Sequence, residues 1–225
     1  MEIQLYDLYK KLLSYFGKQN WWPAEDKFEV VVGAILTQNT AWRNVEKSIK
    51  KLKEENLLSL EGILDTEKWR LKNLIRSSGF YNQKADRLKN FVEYIDRNYK
   101  GDIDLFLNRQ TEKVREELLS IKGIGFETAD SILLYAGDHP IFVVDAYTKR
   151  LCKRLPLEGI DCDNYEEIRR KFERELKREI KNRTKLIEIY KEFHALIVKL
   201  AKTYCKKKPI CEGCPLGKNC SFRIF

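Results

Sequence analysis

The chain has 225 residues, of which 43% are hydrophobic and 34% charged, and its 43 Lys and Arg against 34 Asp and Glu give a formal net charge of +9. That length and apolar content exclude disorder and are enough to bury a core, as one large domain or two small ones. No apolar run approaches the roughly 18 residues of a membrane span, so no membrane partner is expected. The basic balance points to a polyanion, although Lys, Arg and Glu this abundant also suit the charged surface of a heat-adapted protein.

Apolar residues recur at helical spacing along most of the chain and sustained alternation is absent, so the fold class reads as all-α. Met1 leads without a secretory signal into an amphipathic stretch over residues 3–16, which sets the expectation of a cytoplasmic protein with reduced thiols. Trp21-Trp22-Pro23 precedes a strongly apolar helix over 28–36, and Val45, Ile49 and Leu52 carry an apolar stripe into the next. Thr66 begins a helix through Leu71, Leu74 and Ile75 that ends at Gly79; Ala85, Leu88, Phe91, Val92 and Ile95 stripe another that ends near Gly101. Gly137-Asp138-His139-Pro140 reads as a joint between two helical halves, dividing the chain into 24–137 and 1–23 plus 138–225. Residues 141–144 are expected as an extended connector, 166–181 as a charged helix, and 186–204 as a longer amphipathic helix.

That last helix runs into Cys205, Cys211, Cys214 and Cys220, four of the six cysteines in one short basic loop. Thiolates are soft ligands, and a loop too short to own a core needs a metal centre to fix it. Paired disulfides are disfavoured by a reducing compartment, and zinc sites more often use two separated Cys-x-x-Cys knuckles, whereas a single knuckle here is flanked by outlying cysteines. An iron-sulfur cluster is therefore preferred over zinc. Cys152 and Cys162 read as ordinary thiols, and His139 and His194 as structural.

Between two apolar helical stretches lies Lys122-Gly123-Ile124-Gly125, a Gly-x-Gly turn that exposes successive amides at a helix start. Such a turn grips a phosphate without reading sequence, with Lys122 as a further phosphate contact. Downstream, Asp145 follows an apolar run, a position where a helix N-cap and a reactive carboxylate are both compatible readings.

The order of these features resembles the endonuclease III superfamily of helix-hairpin-helix DNA glycosylases, on the Gly123-Ile124-Gly125 hairpin, Asp145, the terminal cysteines, Leu36-Thr37-Gln38-Asn39-Thr40 and Gly79-Phe80-Tyr81-Asn82-Gln83-Lys84-Ala85. The likeness spans nearly the whole chain. It implies two helical subdomains with damaged double-stranded DNA across the cleft between them, a 4Fe-4S cluster on the four cysteines, a monomer, and a target base flipped from the stack. Gln38 and Phe80 match the wedge that fills the vacated space; on chemistry alone they read as a surface amide and a core aromatic. The spacing departs from the family by one residue, five rather than six separating the first two cysteines.

Bifunctional relatives carry a Schiff-base lysine two residues past the second hairpin glycine, where this chain has Glu127. The resemblance thus implies a monofunctional glycosylase in which Asp145 stabilises the cationic sugar. Glu127 reads as a pocket wall or as a helix-start acid. Trp21, Trp22 and Trp42, otherwise core tryptophans, resemble the base pocket of the bacterial 3-methyladenine glycosylase branch, whose cationic substrate suits electron-rich faces. Other readings stay open: a mismatch or oxidised-base glycosylase, favoured by the cysteine loop, and a non-catalytic helix-hairpin-helix DNA-binding protein.

Overall fold

The computed structural model describes residues 3–155, 157, 159–218 and 220–222. The described residues form no β-strand and twelve α-helices: α1 Leu5–Phe16, α2 Lys27–Leu36, α3 Trp42–Glu54, α4 Leu60–Asp65, α5 Lys68–Leu74, α6 Tyr81–Tyr99, α7 Ile103–Leu107, α8 Thr111–Ser120, α9 Phe126–Ser131, α10 Ala146–Arg154, α11 Tyr165–Glu179 and α12 Arg183–Thr203. A 3-10 turn, Arg76–Ser78, precedes α6, and a π-helical turn, Ile132–Ala136, continues α9. Among the described residues no helix is long and apolar enough to cross a membrane.

The chain divides into two compact units, Trp22–His139 and Met1–Trp21 with Pro140–Phe225. In the first, α2 is the centre. Asp26 caps its start by accepting from the Glu29 amide at 2.8 Å, and every residue from Phe28 to Leu36 is buried. A helix apolar all round must be covered on all sides: α3, α6, α9 and the π-helical turn pack against it, while α4, α5 and α7 pack on α6.

In the second unit α12 is the scaffold, with α1 and α10 against it and α11 against α1 and α10. Its core is aromatic: Phe142 stacks on Phe172 at 4.5 Å between centroids, and Phe193 lies 5.9 Å from Phe142 and 5.6 Å from Tyr9. Phe142 reaches that core from the stretch 141–144, which is neither helix nor strand and is buried throughout. The Phe142 amide donates to Glu173 Oε1 at 3.0 Å, which satisfies a backbone group that no strand partner serves.

One expected element is different. The helix expected from Thr66 is α5, Lys68–Leu74, followed by the 3-10 turn before Gly79, while Thr66 itself ends α4, which Ser59 caps at the Gly62 amide, and the Thr66 hydroxyl donates to Gly62 O at 2.5 Å. Helices of five or six residues are too short to display a period, so α4 and α7 left almost no pattern to read.

Candidate DNA-binding and base-excision site

The hairpin is built by α8, the turn and α9. Gly123 has φ +97°, a left-handed conformation that L side chains rarely adopt, and a Cβ there would collide with the stem of Arg87. Ile124 is buried and pins the turn, its amide donating to Ile121 O at 3.0 Å. Lys122, Gly123 and Gly125 are exposed around it. Behind the turn Arg115 holds the wholly buried Asp130 through two bonds, of 2.6 and 3.0 Å, so α8 and α9 are clamped by a bidentate pair. Glu127 lies exposed in the first turn of α9.

Gln38 joins its loop to this hairpin. Its side-chain amide donates to Thr128 Oγ1 at 2.8 Å and to Gly123 O at 3.3 Å, and its oxygen accepts from Arg87 Nη1. It is half-buried and tied into this network, not a loose surface amide. Phe80 is 62% exposed with φ 46°, so it is not a core residue either: a large apolar ring stands in water on a left-handed N-cap.

The tryptophans separate. Trp22 lies edge-on to Trp42, centroids 5.2 Å apart, and 5.0 Å from Tyr135. Gly33 of α2 makes room for them, since a Cβ there would already be 3.2 Å from Trp22 and 3.4 Å from Trp42. Tyr135 comes from the π-helical turn, whose extra residue per turn re-aims side chains; nothing in the sequence singled it out. Trp21 belongs to the other unit, its ring 5.5 Å from that of His194.

His194 brings Trp21 to the carboxylate. Asp145 is 8% exposed and caps α10, its Oδ1 accepting from the Thr148 amide at 2.7 Å and hydroxyl at 2.9 Å, while His194 Nε2 lies 3.5 Å from Oδ2. Burial by itself would raise the Asp145 pKa; the hydrogen bond and charge of His194, with the two Thr148 bonds, outweigh it and hold the carboxyl below its usual range. Asp145 is thus both a cap and an ionised carboxylate. His194, read from sequence as structural, was missed as a site residue because its neighbour in space is 49 positions away. His139 is structural, bonded to Thr111 Oγ1 and Leu107 O.

The cysteine loop closes on Arg154. Its Nη1 lies 3.1 Å from Cys205 Sγ and 2.8 Å from Lys206 O, Nη2 donates to Lys207 O, and its own carbonyl accepts from Cys220 Sγ at 3.2 Å. Arg150 Nε adds a bond to Cys205 O at 2.7 Å. The Cys214 thiol is pushed up by burial first, then by the neighbouring Cys205, Cys220 and Cys211. Among the described residues no group of three or more His, Cys, Asp or Glu is arranged to hold a metal ion. Four clustered thiols with a guanidinium on one of them nonetheless suit an anionic thiolate-bound cluster. Cys152 is buried on α10, its thiol pushed up to about 12 by that burial, away from the thiolate form.

Residues 32–178, from α2 through the hairpin and Asp145 into α11, match the family profile of the HhH-GPD superfamily base excision DNA repair proteins. The chain belongs to that superfamily. MJ1434 of Methanocaldococcus jannaschii, provisionally named a DNA repair glycosylase, is 52% identical over 217 residues, 96% of this chain and 95% of its own. Endonuclease III of Thermotoga maritima is 28% identical over 88% of this chain and 84% of its own. The structure of Helicobacter pylori 3-methyladenine DNA glycosylase, bound to 1,N6-ethenoadenine, superposes with TM-score 0.79 at 34% identity, covering 89% of this chain and 98% of that one. A trapped endonuclease III–DNA covalent intermediate superposes with TM-score 0.78 at 22% identity, 97% of this chain and 94% of that one, a likeness of fold.

As an HhH-GPD protein the chain is a base excision DNA repair glycosylase whose partner is DNA. Trp22, Trp42, Gln38, Phe80, Glu127 and the hairpin belong to the first unit, and Trp21, Asp145 and the cysteines to the second. Arg87, Tyr135 and His194 are added by the structure.

Proposed function

We propose that this glycosylase is monofunctional and hydrolyses the N-glycosidic bond of a flipped, N3-alkylated purine such as 3-methyladenine. The observation that carries the reading is the aromatic set of Trp22, Trp42 and Tyr135 on the Gly33 face of α2. An N3-alkylated adenine is cationic, and a cation is held by electron-rich ring faces. The similarity to the Helicobacter pylori enzyme supports the same substrate class.

The chemistry asks little of the protein. The C1′–N9 bond breaks heterolytically, its electron pair neutralising the departing cationic base, so no acid need protonate the leaving group. The sugar becomes an oxocarbenium ion, which an ionised Asp145 stabilises, and water adds at C1′ with loss of a proton. Asp145 is oriented for this by Thr148 and His194. At position 127 a carboxylate replaces an amine, so no imine with the sugar forms there. Flipping leaves a gap in the stack that Gln38 and Phe80 fill, while Lys122 and the amides of Gly123 to Gly125 hold the backbone. Cys205, Cys211, Cys214 and Cys220 would hold a 4Fe-4S cluster, whose contribution is to cross-link the loop and present Lys206 to Lys208 to phosphates.

The cysteine loop is also the feature that favours a second reading, a glycosylase for thymine or uracil opposite guanine or for oxidised pyrimidines. One experiment separates the two: single-turnover release from duplexes carrying 3-methyladenine, thymine or uracil opposite guanine, or an oxidised pyrimidine, each with and without hot alkali. Release of 3-methyladenine with strand cleavage only after alkali is expected. Pyrimidine release would transfer the protein to the other branch, nicking without alkali would overturn the monofunctional mechanism, and binding with no release from any duplex would leave a DNA-binding protein.

A further inference from the structure

Lys84 takes no part in the chemistry above, yet it is wholly buried in the first turn of α6. Enclosing an ammonium is costly unless its hydrogens find acceptors. They do: Nζ donates to Leu36 O at 2.8 Å and to Ser78 O at 2.6 Å. These carbonyls end two different elements. Leu36 is the last residue of α2, two before Gln38, and Ser78 is the last of the 3-10 turn, two before Phe80. Burial first, and then the nearby Arg87 charge, lower the Lys84 pKa to about 8, so the amine is held there against its own preference. Arg87, a turn further along α6, binds the Gln38 oxygen and covers the glycine of the hairpin. Phe80 needs a rigid base, because a left-handed backbone and an exposed ring are both unfavourable.

We propose that Lys84 is a positioning residue that ties the Gln38 turn to the Phe80 turn, so that both enter a DNA duplex at a fixed separation while a base is flipped. This rests on reading the chain as a base-flipping glycosylase. Lys84 would then act on flipping and leave bond breaking alone. A merely structural lysine would instead affect every substrate alike.

The test is single-turnover release by Lys84→Met from one lesion in two settings, fully paired duplex and single strand, repeated in a Phe80→Ala background. Lys84→Met is expected to slow release from the duplex tenfold or more, to stay within about twofold of wild type on single strand, and to add nothing once Phe80 is gone. Equal loss on both substrates, or a full further loss in the Phe80→Ala background, would overturn the proposal. If Lys84→Met does not fold, the same cycle is run with Lys84→Gln, which keeps a polar head without the reach. Wild-type protein that releases no base would defeat the glycosylase reading instead. Lys84 is then judged by 2-aminopurine fluorescence in lesion-free duplex: a rise on binding with wild type and none with Lys84→Met supports the tie, and equal rises refute it.

Discussion

Asp145 illustrates how one side chain can serve folding and the proposed chemistry together. Its Oδ1 is committed to Thr148 at the start of α10, which leaves Oδ2 facing His194. Asp145→Asn keeps a cap but loses the charge, so base release should fall by about a hundredfold or more while binding to lesion DNA persists; unchanged turnover would remove Asp145 from the mechanism. The lowered pKa has a defined sign. The Asp145 contribution to stability is complete above the unfolded-state carboxyl pKa and is lost as pH falls through the lower folded value. His194→Leu removes the principal group holding that pKa down, so the acid limb of the release rate should move to higher pH. An unmoved limb would show that His194 does not set the ionisation of Asp145. Lys84 gives the same direction with pH but as a cost, not a gain. An amine whose folded pKa is lowered to about 8 burdens the fold below that value, and stability rises with pH from there to the unfolded-state pKa. That rise should appear in the difference between wild-type and Lys84→Met unfolding free energies, and a difference flat with pH above about 8 would show that folding does not lower the Lys84 pKa.

At the scale of elements, α2 and the hairpin each depend on a glycine for a different reason. Gly33 is helical and its missing Cβ admits two indoles, so Gly33→Ala should leave the helix intact and press Trp22 and Trp42 a few tenths of an ångström outward. Release of the alkylated purine should drop with little change in melting temperature, and equal activity would detach these rings from the pocket. Gly123 is needed for its backbone and for the approach of Arg87. Lys122 beside it is exposed. Lys122→Ala should weaken binding to all sequences alike and lower the slope of log affinity against log salt by about 1, as expected for one lost phosphate contact.

For the molecule as a whole, the net charge of +9 supplies the non-specific attraction to DNA, and the cysteine loop bears on the integrity of the unit that contains Asp145. Purified protein should be brown and contain iron, and Cys211→Ser should lose both the colour and thermal stability; a protein with zinc and no iron would refute the cluster.

The residue types and their order were enough to establish the all-helical class, the hairpin, the carboxylate after it and the cluster of thiols, because each is local: a period of 3.6, two glycines one residue apart, four cysteines in one loop. Pairings between distant segments were beyond it. That His194 faces Asp145, that Tyr135 joins Trp22, that Gln38 is bonded to the hairpin and that Lys84 spans two turns are consequences of how helices stack, and no periodicity records which side chains meet across a core. Sequence determined the chemistry available to this protein; tertiary packing decided which groups share it, since burial and proximity, which set charge and orientation, exist only once the chain has folded.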